Sequence, residues 1–372
     1  MRQLSSVVRS QDQRLRRLRL EIVSGADLSA LLTDELDQLA DRCDAPAMAR
    51  SSWLAATVVG ASTGAAWAVA VRDGRRVLRA AVVLLDESRS DRTVVTLAGC
   101  ATGHSSAVLA DSPEAAALLG YGFGRALQQR PTPVWAVLGP VRQDASWLAD
   151  FVGTIPDGEL VGAEAVPVVR RGTSTCASDY LSPSTQRGLR KAANRARTDG
   201  ASVTISFIRD SQQIASLLPT LEQMHRDRDR DQGRRSELDD PIGQEIWRSR
   251  LAGLAREEKL EVGLLYIGDS PAAQVIGIVE PTTYRVLEGV LMTRFSRYAP
   301  GRVLETALLQ RVLDDPAMQT LDWMTSVASE TLLAANDTEP VVLVQAGFLG
   351  RTVPAQPPTR PLPQPRGPLF TS

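Results

Sequence analysis

The sequence is short of the residues from which metal and redox centres are built. Among 372 residues there are three cysteines (Cys43, Cys100, Cys176) and two histidines (His104, His225). No C-x-x-C pair and no zinc-type spacing occurs, and two histidines cannot supply a multi-histidine site, so no metal is expected. An odd cysteine number without a disulfide framework suits a reducing compartment, and a cytoplasmic chain is predicted. Lysine is scarce too: of 42 basic residues only Lys191 and Lys259 are lysines, set against 43 acidic residues for a formal net charge of -1. That balance argues against a histone-like nucleic-acid binder or an acidic tail, and leaves room for local patches.

Long apolar runs are also few. The first 19 residues hold six arginines and no apolar core, unlike a secretory signal. Residues 51–71 carry no charge, but Ser51, Ser52, Thr57, Gly60, Ser62, Thr63 and Gly64 weaken their transfer into lipid. We read a helix to about 59, a turn over 60–64 and a buried strand over 65–71, not a membrane span.

What is present is an alternation of strands and helices. A strand at 18–23, a helix at 27–43, strands at 65–71, 77–84 and 94–98, a helix at 113–129 and strands at 134–138 and 165–169 make a first block. Asp73–Gly74 signals a hairpin. The second block opens at Ser182–Pro183, an N-cap followed by proline at the first helical position, and that helix stops at Gly200. A strand at 202–208, helices at 211–226 and 241–257, strands near 261–267, 272–280 and 284–292, a helix at 303–314 and a strand at 320–324 follow. Both blocks share the order strand, helices, three antiparallel strands, helix, strand. The expected fold is α/β (α+β), with two tandem domains at 1–174 and 175–350, each a mixed, mostly antiparallel sheet flanked by helices. The Pro-rich segment 351–372 is expected to be a solvated, polyproline-like tail or a docking peptide.

The segment YRVLEGVLMTRFSRYAPGRVLETALLQRVL (284–313) carries the strongest chemical signal. A strand runs into an Arg-rich turn that closes at Pro300–Gly301 and launches a helix. Uncapped amides there, with the helix dipole and Arg297 and Arg302, suit an anion such as a pyrophosphate. An ordinary strand–turn–helix with solvated arginines is the competing reading. The helix over 184–199 gathers Arg187, Arg190, Lys191, Arg195 and Arg197. It is read as a solvated face, a phosphate contact or a tRNA guide. His225 and the run Arg226–Asp231 are expected at a solvated helix end and a mobile charged surface. Gly120, Gly122 and Gly124 make a weak phosphate loop within a helical context.

Over about 175–345 the chain resembles the GNAT acyltransferase superfamily, especially its CelD-like members. The resemblance rests on YLSPSTQRGLRKAANRARTDG, LEQMHRDRDRDQG, RYAPGRVLETALLQ and LDWM, taken in that order. The duplicated block order resembles the tandem arrangement of FemABX-type aminoacyl transferases. The resemblance implies an N-acyltransferase that uses acetyl-CoA or another acyl-CoA as co-substrate and a small-molecule or peptide amine as acceptor. It implies pantetheine along strand 284–292 at Leu291 and Met292, and pyrophosphate at Arg297, Gly301, Arg302 and Val303. Glu288 is the first candidate for the base, with Asp322 and Glu280 as alternatives, and Thr325 or Ser326 would serve the leaving thiolate. Departures are the Met292 position, where CelD-like members carry Asp, and the absence of a Gly-x-x-x-Tyr-Lys segment. Two alternatives stay open: an aminoacyl-tRNA donor, and a non-catalytic binding or scaffold protein. The N-terminal block is expected to be a scaffold and substrate wall.

Overall fold

The computed structural model describes residues 18–60, 65–100, 108–155, 159–162, 165–324 and 332–348. The chain divides into two compact units, one formed by Met1–Ala163 with Val341–Arg360, the other built on Glu164–Pro340.

In the first unit, β1 (Arg19–Ser24) leads into α1 (Gly25–Leu31), α2 (Asp34–Arg42) and α3 (Ser51–Val59). The single helix expected at 27–43 breaks in two because Leu32 and Thr33 leave helical geometry. Strands β2 (Ala66–Arg72), β3 (Leu78–Ser88), β4 (Thr93–Leu97) and β5 (Val108–Ala110) precede α4 (Pro113–Gln128). Asp73 closes the predicted β2–β3 turn by accepting from the Arg75 and Val77 amides at 2.8 and 3.0 Å. β6 (Val134–Arg142), α5 (Leu148–Gly153) and β7 (Glu159–Gly162) follow. The glycines of α4 are a packing device and not a phosphate loop. A Cβ on Gly120 would sit 2.2 Å from the Trp147 carbonyl oxygen, and one on Gly124 would sit 1.7 Å from Thr154 Oγ1.

The second unit comprises β8 (Val166–Arg170), α6 (Pro183–Thr198), β9 (Val203–Ile208), α7 (Ser211–Asp231) and α8 (Pro241–Arg256). It continues with β10 (Leu260–Ile267), β11 (Ser270–Val279), β12 (Thr283–Leu291), α9 (Pro300–Asp314), β13 (Thr320–Asp322) and β14 (Asp337–Glu339). Ser182 caps α6 through the Thr185 amide with Pro183 at the first helical position, as the sequence predicts. Helix α7 runs five residues beyond its expected end, through the alternating Arg/Asp segment. The run Arg226–Asp231 is therefore helix, with Arg228 and Asp229 buried, and not a mobile surface. Among the described residues no helix is long and apolar enough to cross a membrane.

The two sheets repeat one plan. The first runs β1-β2-β3-β4-β6-β15-β7, where β15 is Val341–Phe348, and the second runs β14-β8-β13-β12-β11-β10-β9. In each, four antiparallel strands end in a parallel neighbour reached through a helix: β4 with β6, and β12 with β13. Beyond that strand the units exchange segments. β6 is covered by β15, from the end of the described chain, and β13 by β8, which follows β7 directly in sequence. The strand expected at 165–169 therefore completes the second sheet, and the boundary drawn at 174/175 falls on the wrong side of it. Strand 341–348 had no place in the sequence reading and completes the first sheet. Pairing sets these memberships, and periodicity alone is silent on partners.

A fragment spanning 164–340 holds all seven strands of the second sheet. One spanning 175–350 lacks β8 and carries β15 without its partners. In urea unfolding followed by circular dichroism, the first fragment is expected to show a cooperative transition and the second to aggregate or melt broadly. Equal cooperativity would contradict the strand exchange.

Candidate functional site

β12 is the strand on which the site is built. It pairs antiparallel with β11, but the register slips: Gly277 faces Val286 while Ile276 faces Glu288, leaving Leu287 as the extra residue of a β-bulge. Side chains alternate along a strand, so one inserted residue moves all that follow to the opposite face. Tyr284 and Val286 accordingly lie in the core packed by α9. Glu288 turns to the face covered by α7 and α8.

There Glu288 is 5% exposed and meets three donors. His225 Nδ1 lies 2.8 Å from Oε1, Gln274 Nε2 donates to Oε1 at 3.3 Å, and Trp247 Nε1 donates to Oε2 at 3.1 Å. The other ring nitrogen, Nε2, is 3.1 Å from Asp229 one helical turn on. Asp229 also accepts from Arg234 at 3.0 Å. Burial opposes a charge on His225. The Glu288 charge and hydrogen bonds to both carboxylates outweigh it and push the imidazole pKa up to about 10. Burial likewise raises the Asp229 carboxyl, and the hydrogen bond from His225 reverses this and holds it below the ordinary aspartate value. At neutral pH the cluster is an imidazolium clamped between two carboxylates. His225, at 3% exposure, is thus no solvated helix end. One turn earlier on α7, buried Glu222 is held by Gln244 and Arg248 of α8, and by Arg226.

The other sequence candidates separate from this cluster. Asp322 is buried in β13, pairs with Arg285 at 3.2 Å and caps the Met324 amide at 2.8 Å. Glu280 pairs with the same Arg285. Both carboxylates therefore neutralise a β12 arginine. Thr325 and Ser326 lie outside the described residues. Among the described residues β13 pairs with β12 as far as Arg285↔Asp322, and Glu288 to Leu291 lie beyond that pairing.

A second feature follows at the end of β12. Leu291 packs on the core and Met292 is buried, its amide donating to Ala272 O at 2.9 Å. The turn Thr293–Tyr298 then leads to Ala299, which holds a left-handed φ of 47° and offers no side-chain cap to α9. For a residue with a Cβ that geometry costs about 1–2 kcal/mol. Val303 N–H bonds to Ala299 O at 3.1 Å, so the expected trio of amides reduces to Gly301 and Arg302. The corresponding helix of the first unit, α4, is closed to anions: Ser112 caps its Ala115 amide at 3.2 Å, and Glu114 occupies its first turn.

The α9 start opens into a cavity of about 740 Å³ lined by α6, the turn, and residues 332–335. Lys191, Arg195, Arg297 and Arg302 line it, and among the described residues no carboxylate does. Arg297 is partly neutralised by Asp199 at 2.8 Å, and Arg195 donates to the Arg297 carbonyl at 3.0 Å. Glu305 is fully buried one turn into α9. Burial raises its pKa to about 8 against the pull of Arg302, keeping negative charge off this end of the helix at neutral pH.

Comparison with known proteins agrees with this architecture. Residues 183–330 match the acetyltransferase (GNAT) domain family. A conserved protein of unknown function from Bacteroides thetaiotaomicron superposes with a TM-score of 0.52 at 11% identity, covering 84% of this chain and 96% of its own. FemX superposes with a TM-score of 0.54 at 10% identity, covering 80% and 90%. A tandem GNAT protein from the clavulanic acid biosynthesis pathway gives 0.48 at 13% identity, over 90% and 100%. No curated protein sequence matches. The second unit therefore carries the stretch that matches the acetyltransferase (GNAT) domain family, and the likeness to the solved structures is one of fold.

The histidine cluster fixes a pH dependence. His225 titrates near 6.5 when unfolded and near 10 when folded, so its stabilisation is complete below pH 6.5 and fades as pH rises towards 10. His225→Gln leaves two buried carboxylates facing each other and is expected to cost about 3–5 kcal/mol at pH 6 to 7. Urea titrations should show the gap from wild type closing towards pH 10. A gap independent of pH would contradict the ion cluster.

Proposed function

We propose that the second unit is an acyl-CoA-dependent N-acyltransferase whose donor binds at the start of α9. The observation that carries this reading is the uncapped helix start opening, immediately after the strand that bears Glu288, into a cavity whose charged lining among the described residues is all basic. A diphosphate fits the Gly301 and Arg302 amides and the Arg302 charge, and the acyl thioester would lie along the last residues of β12. The amine nitrogen attacks the thioester carbonyl, a C–N bond forms, the C–S bond breaks, and CoA thiolate leaves. Glu288, hydrogen-bonded to His225, is suited to stabilise the positive charge that develops on nitrogen and to take up its proton. It acts on an ammonium already acidified by C–N bond formation. The residues present need no further group for these steps.

The exposed outer face of α6, with Arg187, Arg190 and Arg197, favours a second reading in which the donor is aminoacyl-tRNA. Competition by uncharged tRNA at low salt separates the two.

Isothermal titration with acetyl-CoA tests the first reading. Wild type is expected to bind, and Gly301→Asp to weaken binding roughly 100-fold, about 2.7 kcal/mol, by adding bulk and repelling phosphate. Absence of binding by the folded wild type would sink the donor assignment. Unchanged affinity in the variant would move the site elsewhere.

A further inference from the structure

Helix α6 shows the cavity more charge than a diphosphate needs. Ser184, Gly188, Lys191 and Arg195 recur at intervals that place them on one helical face, and all four line the cavity opposite the α9 start. Among the described residues Lys191 has no carboxylate partner. Arg195 spends one donor on the Arg297 carbonyl, a neutral group. A diphosphate at α9 is met by the helix start and Arg302, which leaves these two α6 cations without an opposing charge among the described residues of the cavity.

Gly188 is a second, independent sign. It sits within the 16-residue helix α6, where glycine is less stable than alanine. Its φ is not left-handed, and a Cβ placed there would meet no protein atom within 4 Å. The glycines of α4 are each explained by an atom that a Cβ would strike. At Gly188 the chain supplies no such atom, and the bare backbone faces the cavity.

Resting on the acyl-CoA reading above, we infer that the Ser184–Gly188–Lys191–Arg195 face of α6 is a phosphomonoester subsite. It takes a phosphate on the nucleoside ribose of the donor, in addition to the diphosphate held at α9. The bare Gly188 backbone admits that ribose phosphate to the helix surface. Lys191 and Arg195 supply its counter-charge and Ser184 a hydroxyl donor. The enzyme therefore distinguishes donors by their ribose phosphate and not by the diphosphate alone.

Titration of the full chain with CoA and with dephospho-CoA tests this. The expected result is that CoA binds at least tenfold more tightly. Lys191→Ala should bring CoA down to the dephospho-CoA level and leave dephospho-CoA unchanged. Gly188→Leu should keep or raise the urea midpoint, because leucine is the better helix former, while weakening CoA binding. Equal wild-type affinities, or a Lys191→Ala loss shared equally by both ligands, would overturn the subsite and leave the donor reading standing. Failure of both ligands to bind wild type would remove both. Binding of uncharged tRNA that Lys191→Ala abolishes, with CoA binding unchanged, would overturn it in favour of a polynucleotide.

Discussion

The pairing of His225 with Glu288 is the constraint on which the second unit depends. A glutamate buried in the middle of a sheet face would be costly on its own, as would a histidinium in a helix packed against it. Each is tolerable because the other is there, and Asp229 engages the second ring nitrogen. The cluster ties α7 to β12 by geometry that apolar packing could not specify. Trp247 extends the tie to α8 and Gln274 extends it to β11. A single inserted residue, Leu287, makes this possible by turning Glu288 out of the α9 core and onto the helix-covered face.

The same strand then ends at the proposed donor site. Its last residues give way to a turn whose final residue, Ala299, is strained and cannot cap the helix it begins. In the first unit the matching helix start is capped by Ser112 and carries Glu114 in its first turn, whereas the α9 start has neither a side-chain cap nor an acidic residue there.

Much of this was legible in the sequence. Ser182–Pro183 marked α6, Asp73–Gly74 marked a hairpin, and Pro300–Gly301 after an apolar strand marked the start of α9. Each is a local signal whose physics acts within a few residues. The resemblance to GNAT proteins rested on those local signals in order, and Glu288 was singled out from its place on the strand. The ion cluster was not legible, because Asp229 lies four residues from His225 but Glu288, Trp247 and Gln274 lie on other elements. An Arg/Asp alternation also resembles solvated surface. Reading Glu222, His225 and Asp229 as one helical stripe was the available clue. Strand β8 failed for a different reason, since alternation shows that a segment is a strand and says nothing of which sheet it joins, and β15 was not read as a strand at all.

The central claim is that His225 is a buried imidazolium shared by two carboxylates. Nitrogen-resolved NMR of the imidazole tests it directly, since the chain has two histidines and a His104→Asn background leaves one signal. At pH 8 the account predicts two ring N–H signals from His225, with titration delayed to about pH 10. A neutral ring at pH 8 that titrates near 6.5 would contradict it.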